Sequence, residues 1–154
     1  MTRLALAVAV AGAVATVPAD AFSQSGVTVV RAGRVIDGRG AARQDVAIRL
    51  DGSQIRAVEA WTPGPVTYDL SGLTVLPGLI DTHVHITSHF GADGRADNAG
   101  ETPAEQALYA AENLYVTLMA GYTTVQSIGA PLDVPLRDAL ARGLLPGPRL
   151  LTSI

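Results

Sequence analysis

Two histidines separated by a single residue, His83 and His85, are the side chains in this sequence best suited to chemistry. In an extended segment, residues two positions apart project from the same face, so the two imidazoles can share one divalent ion without distorting the backbone. Such an ion lowers the pKa of a bound water toward about 7 and polarises a carbonyl group. An isolated His-x-His pair can also be the solvated face of an edge strand. The choice between these two interpretations depends on the neighbouring elements.

The histidines are predicted to lie near the end of a β-strand that runs from Leu79 to Ile86, directly after the break at Pro77-Gly78. Alternation divides this strand into two faces. One face concentrates polar groups toward its C-terminal end and carries Leu79, Asp81, His83 and His85. The other face is mostly apolar, suits packing against a helix, and carries Ile80, Thr82, Val84 and Ile86.

The segment after this strand predicts a well-capped helix. Thr102 is a suitable N-cap, Pro103 suits the first helical position, and Glu105 can complete a capping box. Gly121 is expected to end the helix. Apolar residues recur at three- and four-residue spacing and predict one buried stripe, made of Ala104, Leu108, Ala111, Leu114 and Leu118.

Alternating elements continue to the last residue. A strand is predicted from Tyr122 to Ile128, a second helix from Val134 or Pro135 to Arg142, and another strand from Arg149 to Ile154. This order is typical of parallel βαβ units. Because three parallel strands leave sheet faces and edges uncovered, we expect the chain to be part of a larger α/β protein. In a barrel, the C-terminal ends of the strands form the active-site mouth, where the histidine pair would face substrate.

A small β layer is predicted before the histidine strand. Short β-like runs separated by Gly, Asp or Ser cover Val27 to Val58 and Thr67 to Leu76, with Ser71-Gly72 as a turn. These runs therefore predict a small β-sheet layer ahead of the histidine strand.

The first 21 residues have the layout of a signal peptide. Arg3 precedes an apolar run from Leu4 to Val17, and Ala19-Asp20-Ala21 offers a cleavage site after Ala21. The run is shorter than the roughly 20 apolar residues that span a bilayer, so no stable membrane anchor is expected. The predicted location is periplasmic or secreted.

The composition limits which metal ligands the chain can offer and which partners it can bind. The 154 residues contain no cysteine, so a metal would have to use histidines and carboxylates. The net charge is −3 and the arginines are scattered, which argues against a nucleic-acid partner. All 11 residues of the Lys+Arg count are arginines, so lysine is absent as well.

The segment Leu76 to His85, Leu-Pro-Gly-Leu-Ile-Asp-Thr-His-Val-His, resembles the first barrel strand of the amidohydrolase superfamily. Asp69 to Val75 resembles the family's passage from an accessory β-sandwich into the barrel. The resemblance implies that residues 22–75 form an accessory β-sandwich segment and that residues 76–154 form the N-terminal part of a (β/α)₈ barrel, with its first two to three strands. Gly121 to Val125 and Leu136 to Leu151 are similar to the subgroup that contains imidazolonepropionase-like enzymes and Xaa-Pro dipeptidases. Gln126-Ser127 departs from the pattern, because relatives often carry Arg-Asp there.

The resemblance implies roles for four residues. His83 and His85 would be the first two ligands of a divalent metal, expected to be zinc, with one or two ions bound. Asp81 would support the ligands or anchor the strand rather than bind the metal directly. His89 is a candidate to contact substrate or metal-bound water; the alternative is a solvent-exposed loop histidine.

The family's remaining active-site groups have no counterpart in this sequence. They are a bridging carboxylated lysine or a glutamate, two further histidines and an aspartate general base. With no lysine, a carbamate bridge cannot form within the chain. We therefore assign no catalytic residue here and expect this fragment to be inactive by itself.

The function implied by the resemblance is metal-dependent hydrolysis of a carbon–nitrogen bond by activated hydroxide. The small-molecule substrate would be a cyclic amide, an N-acyl compound or a dipeptide. A phosphotriester or lactone is a further possibility on the same barrel, because fold does not determine substrate. The alternative from another class is a small secreted β/α binding module whose histidine pair is structural or scavenges metal.

Overall fold

The computed structural model describes residues 26–96 and 99–153. Residue contacts divide the chain into two compact units, with the boundary between Val75 and Leu76. The predicted signal peptide, residues 1–21, lies outside the described residues, so cleavage after Ala21 stays a prediction. In the described ranges, no helix has the length and apolar character needed to cross a membrane.

The first unit contains a four-stranded mixed sheet. Its strands are β1 (Thr28–Val35), β2 (Arg43–Asp51), β3 (Gln54–Ala60) and β4 (Tyr68–Val75). They are arranged in the order β3-β2-β1-β4, with β1 antiparallel to β2 and parallel to β4. The apolar cluster of this unit is formed by Ala32, Val35 and Val46, against which Ile48, Val58 and Val75 pack. The predicted β layer is present as this one sheet.

The prediction of a turn at Ser71-Gly72 is wrong, because both residues lie inside β4. Opposite them, β1 carries Gly33, and a Cβ added there would collide with the backbone carbonyl of Ser71. The pairing register shifts at this point, between Ala32 and Arg34. Because Gly33 has no side chain, β1 and β4 stay paired across this register shift. In the sequence, Ser71-Gly72 had indicated a turn at the same place.

The second unit contains a parallel three-stranded sheet. The strands β5 (Leu79–Val84), β6 (Tyr122–Ser127) and β7 (Arg149–Thr152) are neighbours in that order. Helix α1 (Pro103–Met119) connects β5 to β6, and α2 (Asp133–Ala141) connects β6 to β7. The predicted βαβ order is confirmed, and it is the order of the opening strands of a (β/α)₈ barrel. All three strands end at the same edge of the sheet.

The histidine strand is shorter than predicted. It ends at Val84 rather than Ile86, so His85 follows the last strand residue and the chain turns immediately afterwards. The pairing of β5 with β6 shifts register between Asp81 and Val84, and the Ser88 amide donates to the His85 carbonyl at 2.9 Å. That local hydrogen bond competes with further sheet pairing and ends the strand.

Two predicted apolar faces are only partly buried. In α1, Leu108 is 73% exposed, whereas Ala110 and Leu114 are fully buried, so the stripe predicted through Leu108 is wrong. On β5, Ile80 is 67% exposed although Ile86 belongs to the core. Helix α1 therefore faces the core with Ala110 and Leu114 rather than with Leu108. The core of this unit consists of Ile86, Ala110, Leu114, Val125, Leu136 and Leu150.

Helix α1 begins with the predicted capping box. The Thr102 hydroxyl accepts from the Glu105 amide at 3.3 Å, and the Glu105 carboxylate accepts from the Thr102 amide at 2.8 Å. The hydrogen bonds from the Thr102 backbone amide and hydroxyl hold the pKa of Glu105 below its ordinary value. The first turn of the helix that covers the histidine strand is therefore specified locally, by four consecutive residues.

Replacing Thr102 with alanine is expected to lower the free energy of unfolding by about 1 kcal/mol at neutral pH. The loss should shrink in acid. Because the folded pKa of Glu105 is lowered, its stabilising contribution is complete above the ordinary carboxyl pKa and disappears as the pH falls through the lowered value. Urea unfolding of the wild type and of Thr102→Ala over a series of pH values measures the difference in their free energies of unfolding. Thr102→Ser keeps the hydroxyl and serves as the control; a loss independent of pH would contradict the expectation.

Candidate metal centre

The rings of His83 and His85 lie next to each other at the carboxyl end of β5. Their centroids are 5.5 Å apart and their planes are inclined at 69°. Both residues are exposed. The period of the strand explains the arrangement, since residues two apart project from one face even where the second lies just past the last paired residue.

This spacing fits two ligands of one ion. With a Zn–N distance of about 2.1 Å and tetrahedral angles, the centroids of two coordinating imidazoles are roughly 5 Å apart. The observed 5.5 Å is close to that value, and imidazole nitrogens are suitable donors for zinc. The pair is half of a ligand set: in residues 26–96 and 99–153, no group of three or more His, Cys, Asp or Glu side chains could hold a metal.

Asp81 contacts the backbone of the strand. Its Oδ1 accepts the amide hydrogen of His83 at 3.0 Å. The carboxylate therefore binds the backbone of β5 at the register shift between Asp81 and Val84. The predicted role of Asp81 in supporting the metal ligands stays a prediction.

The turn after His85 is held by helix α1. The side-chain nitrogen of Asn113 donates to the carbonyl of Ile86 at 2.9 Å and to that of Ser88 at 2.8 Å. Sequence reasoning missed Asn113. A signal was available, because asparagine is a poor residue for the middle of a helix and stands here directly before the buried Leu114.

His89 is engaged with its neighbours rather than free in a loop. Its Nε2 lies 3.1 Å from the Glu101 carboxylate, and its ring stacks on Tyr109 with centroids 4.0 Å apart and planes 16° apart. The side chain of His89 is 20% exposed and that of Glu101 is 11% exposed. These contacts tie the loop after β5 to α1, while the predicted contact of His89 with substrate stays a prediction.

At the end of β6, the residues that depart from the family pattern are largely buried. Ser127 is 1% exposed and pairs in register with Thr152 of β7, and the Gln126 side chain donates weakly to the Ser127 carbonyl at 3.4 Å. Asp133 at the start of α2 is fully buried, and its Oδ2 accepts from the Ala130 amide at 3.0 Å. That bond closes the β6–α2 loop next to the edge where the histidines lie.

Comparisons with known proteins agree with this geometry. The sequence profile of the Amidohydrolase family matches residues 74–153, from the last residues of β4 to the end of the described chain. An allantoinase of Solibacter usitatus (strain Ellin6076) is 40% identical over 83 residues. Those residues are 53% of this chain and 17% of the allantoinase.

Two solved structures are similar in fold and in sequence. A Xaa-Pro dipeptidase with methionine bound in its active site is 34% identical with a TM-score of 0.74, covering 82% of this chain and 33% of that one. A prolidase in complex with N-methylphosphonate-L-proline is 32% identical with a TM-score of 0.69, covering 83% and 32%. The chain thus spans about a third or less of each of these relatives.

Proposed function

The chain belongs to the amidohydrolase family, and we propose that it supplies the first two metal ligands of a hydrolase acting on carbon–nitrogen bonds. The single observation that carries this proposal is the ring pair of His83 and His85, 5.5 Å apart at the carboxyl end of β5. The position matters as much as the distance, because active sites of (β/α)₈ barrels are built at that end of the strands.

The residues of this chain would hold the ion and orient its ligands. His83 and His85 would each donate one ring nitrogen, and Asp81 would keep His83 in place through the backbone amide. When bound, the ion supplies Lewis acidity: it polarises the amide carbonyl and makes a water molecule more acidic. We propose zinc, because imidazole nitrogens are suitable ligands for it.

The proposed substrates are small amides. The Xaa-Pro dipeptidase and the prolidase among the similar structures, and the allantoinase among the similar sequences, support a dipeptide, an N-acyl compound or a cyclic amide. We propose that residues outside this chain provide the further ligands and the general base. The described residues contain no convergent group of three metal-binding side chains, and the matched residues cover only 33% of the Xaa-Pro dipeptidase and 17% of the allantoinase.

Metal-dependent turnover tests the proposal. The 154 residues alone are expected to hydrolyse none of these amides. The same chain extended by the coding sequence beyond Ile154 is expected to hydrolyse at least one of them, and a chelator should abolish that activity until zinc is restored. The extended protein with both histidines changed to alanine is the control.

Two outcomes would contradict the proposal. Robust chelator-sensitive turnover by the 154 residues alone would show that they already contain a complete site. A stop codon directly after Ile154 would instead favour the small binding module, in which the histidine pair binds metal without catalysis.

A further inference from the structure

We infer that Asn113 is a positioning residue for the metal ligand His85, an inference that rests on the proposed function. Asn113 is a half-buried residue of α1, the first helix after the histidines in sequence. Its amide nitrogen donates to two backbone carbonyls, those of Ile86 and Ser88. These residues are the first and the third after His85.

The two histidines are held by different elements. His83 is inside β5, where the Asp81 carboxylate also binds its amide. His85 comes one residue after the strand, so sheet pairing ends before it; the Val84 carbonyl still accepts from the Ile128 amide at 2.9 Å. The direction of the His85 side chain therefore depends on the turn that follows it.

That turn is held against α1 by apolar packing and by hydrogen bonds. The Ile86 side chain is 4% exposed and packs in the core with Ala110 and Leu114, which flank Asn113 on the helix. The Asn113 amide adds the polar contact, at 2.9 and 2.8 Å. Apolar packing alone leaves a turn free to rotate its peptide planes, whereas two hydrogen bonds to alternate carbonyls determine their direction.

Asparagine is chemically suited to this position. A primary amide nitrogen carries two hydrogens and no charge, so one side chain can satisfy two partly buried carbonyls. Aspartate has nearly the same shape but only acceptor oxygens when ionised, and it would repel both carbonyls. Partners that orient metal ligands typically contribute 10- to 100-fold to metal affinity.

The experiment compares Asn113→Asp and Asn113→Ala with the wild-type chain, with Glu112→Ala as the matched control on an exposed position of the same helix. Zinc affinity is measured by calorimetry at a temperature where unfolding curves show every variant to be folded. The His83–His85 ring contact is measured by nuclear Overhauser effects in metal-free protein, together with hydrogen exchange of the Ser88 amide.

Both Asn113 variants are expected to lose the ring-to-ring contact, to exchange the Ser88 amide faster, and to bind zinc about tenfold more weakly or worse. Glu112→Ala should match the wild type in all three measurements. An unchanged ring contact, or unchanged zinc affinity in the folded Asn113 variants, overturns the positioning role.

Failure of the proposed function would look different. If zinc affinity of the chain extended beyond Ile154 equals that of the same extended chain with both histidines changed to alanine, the metal site itself is refuted. The ring contact and the Ser88 exchange are recorded without metal, so they still decide whether Asn113 positions His85. Loss of the ring contact in Asn113→Asp supports that role, and its persistence overturns it.

Discussion

Changing His83 and His85 together to alanine is expected to abolish specific zinc binding by the chain. Each ring contributes one nitrogen donor, and removing a ligand costs more than the roughly 10- to 100-fold lost when only its hydrogen-bonding partner is removed. The rings are 5.5 Å apart, a separation that suits two donors of one ion, so under the proposal each single variant loses most of the affinity. Isothermal calorimetry with zinc measures the effect.

The double variant still contains His89, the third histidine of the chain, and so it also controls for zinc binding outside the proposed site. His89 is stacked on Tyr109 and paired with Glu101, so any binding that persists in the double variant reports adventitious contact with a lone imidazole. Lowering the pH should weaken specific binding, since protons compete with the metal for ring nitrogens. In the chain extended beyond Ile154, which should hold the remaining ligands, equal zinc affinity with and without the two histidines would refute the assignment of both ligands.

Replacing Gly33 with alanine is expected to lower the free energy of unfolding of the chain by about 3 kcal/mol, at the upper end of what overpacking usually costs. The added methyl group would collide with the Ser71 carbonyl across the β1–β4 pair. Both partners are main chain, so neither can rotate away. Relief requires the two strands to separate, and that would break the parallel ladder on which the first unit depends.

Gly72→Ala is the matched control for this experiment. It introduces the same methyl group in β4, one residue from the collision, where nothing lies within 4 Å of the added carbon. We expect it to be neutral or slightly stabilising, because alanine reduces the entropy of the unfolded chain. Urea unfolding of the wild type, Gly33→Ala and Gly72→Ala tests the expectation. Equal unfolding midpoints for the two variants would show that β1 and β4 do not approach each other closely at Gly33.

The local elements of the second unit were predictable because their causes are local. A threonine, a proline and a glutamate within four residues specify where α1 begins, and the capping box forms as expected. Strand periodicity alone predicts that His83 and His85 share a face, and their rings do lie side by side. The succession of strand and helix signals likewise predicts a parallel sheet, which β5, β6 and β7 form.

Other features depend on which surfaces meet, and the sequence did not reveal them. Leu108 looks like a core residue by spacing, yet it is 73% exposed, and the buried residues of α1 are Ala110 and Leu114. Ser71-Gly72 looks like a turn, yet it continues a strand because Gly33 allows a close approach from β1. Gly33 is remote in sequence from Ser71, so no local pattern could identify it.

The candidate site divides in the same way. The spacing of the histidines was enough to predict that they share a face, since the period of a strand is a property of a few neighbouring residues; metal ligation is implied by the family resemblance and stays a prediction. How His85 is held could be learned only from the folded chain. Asn113 is 28 positions away along the sequence, and only the return of α1 over the sheet brings its amide to the Ile86 and Ser88 carbonyls.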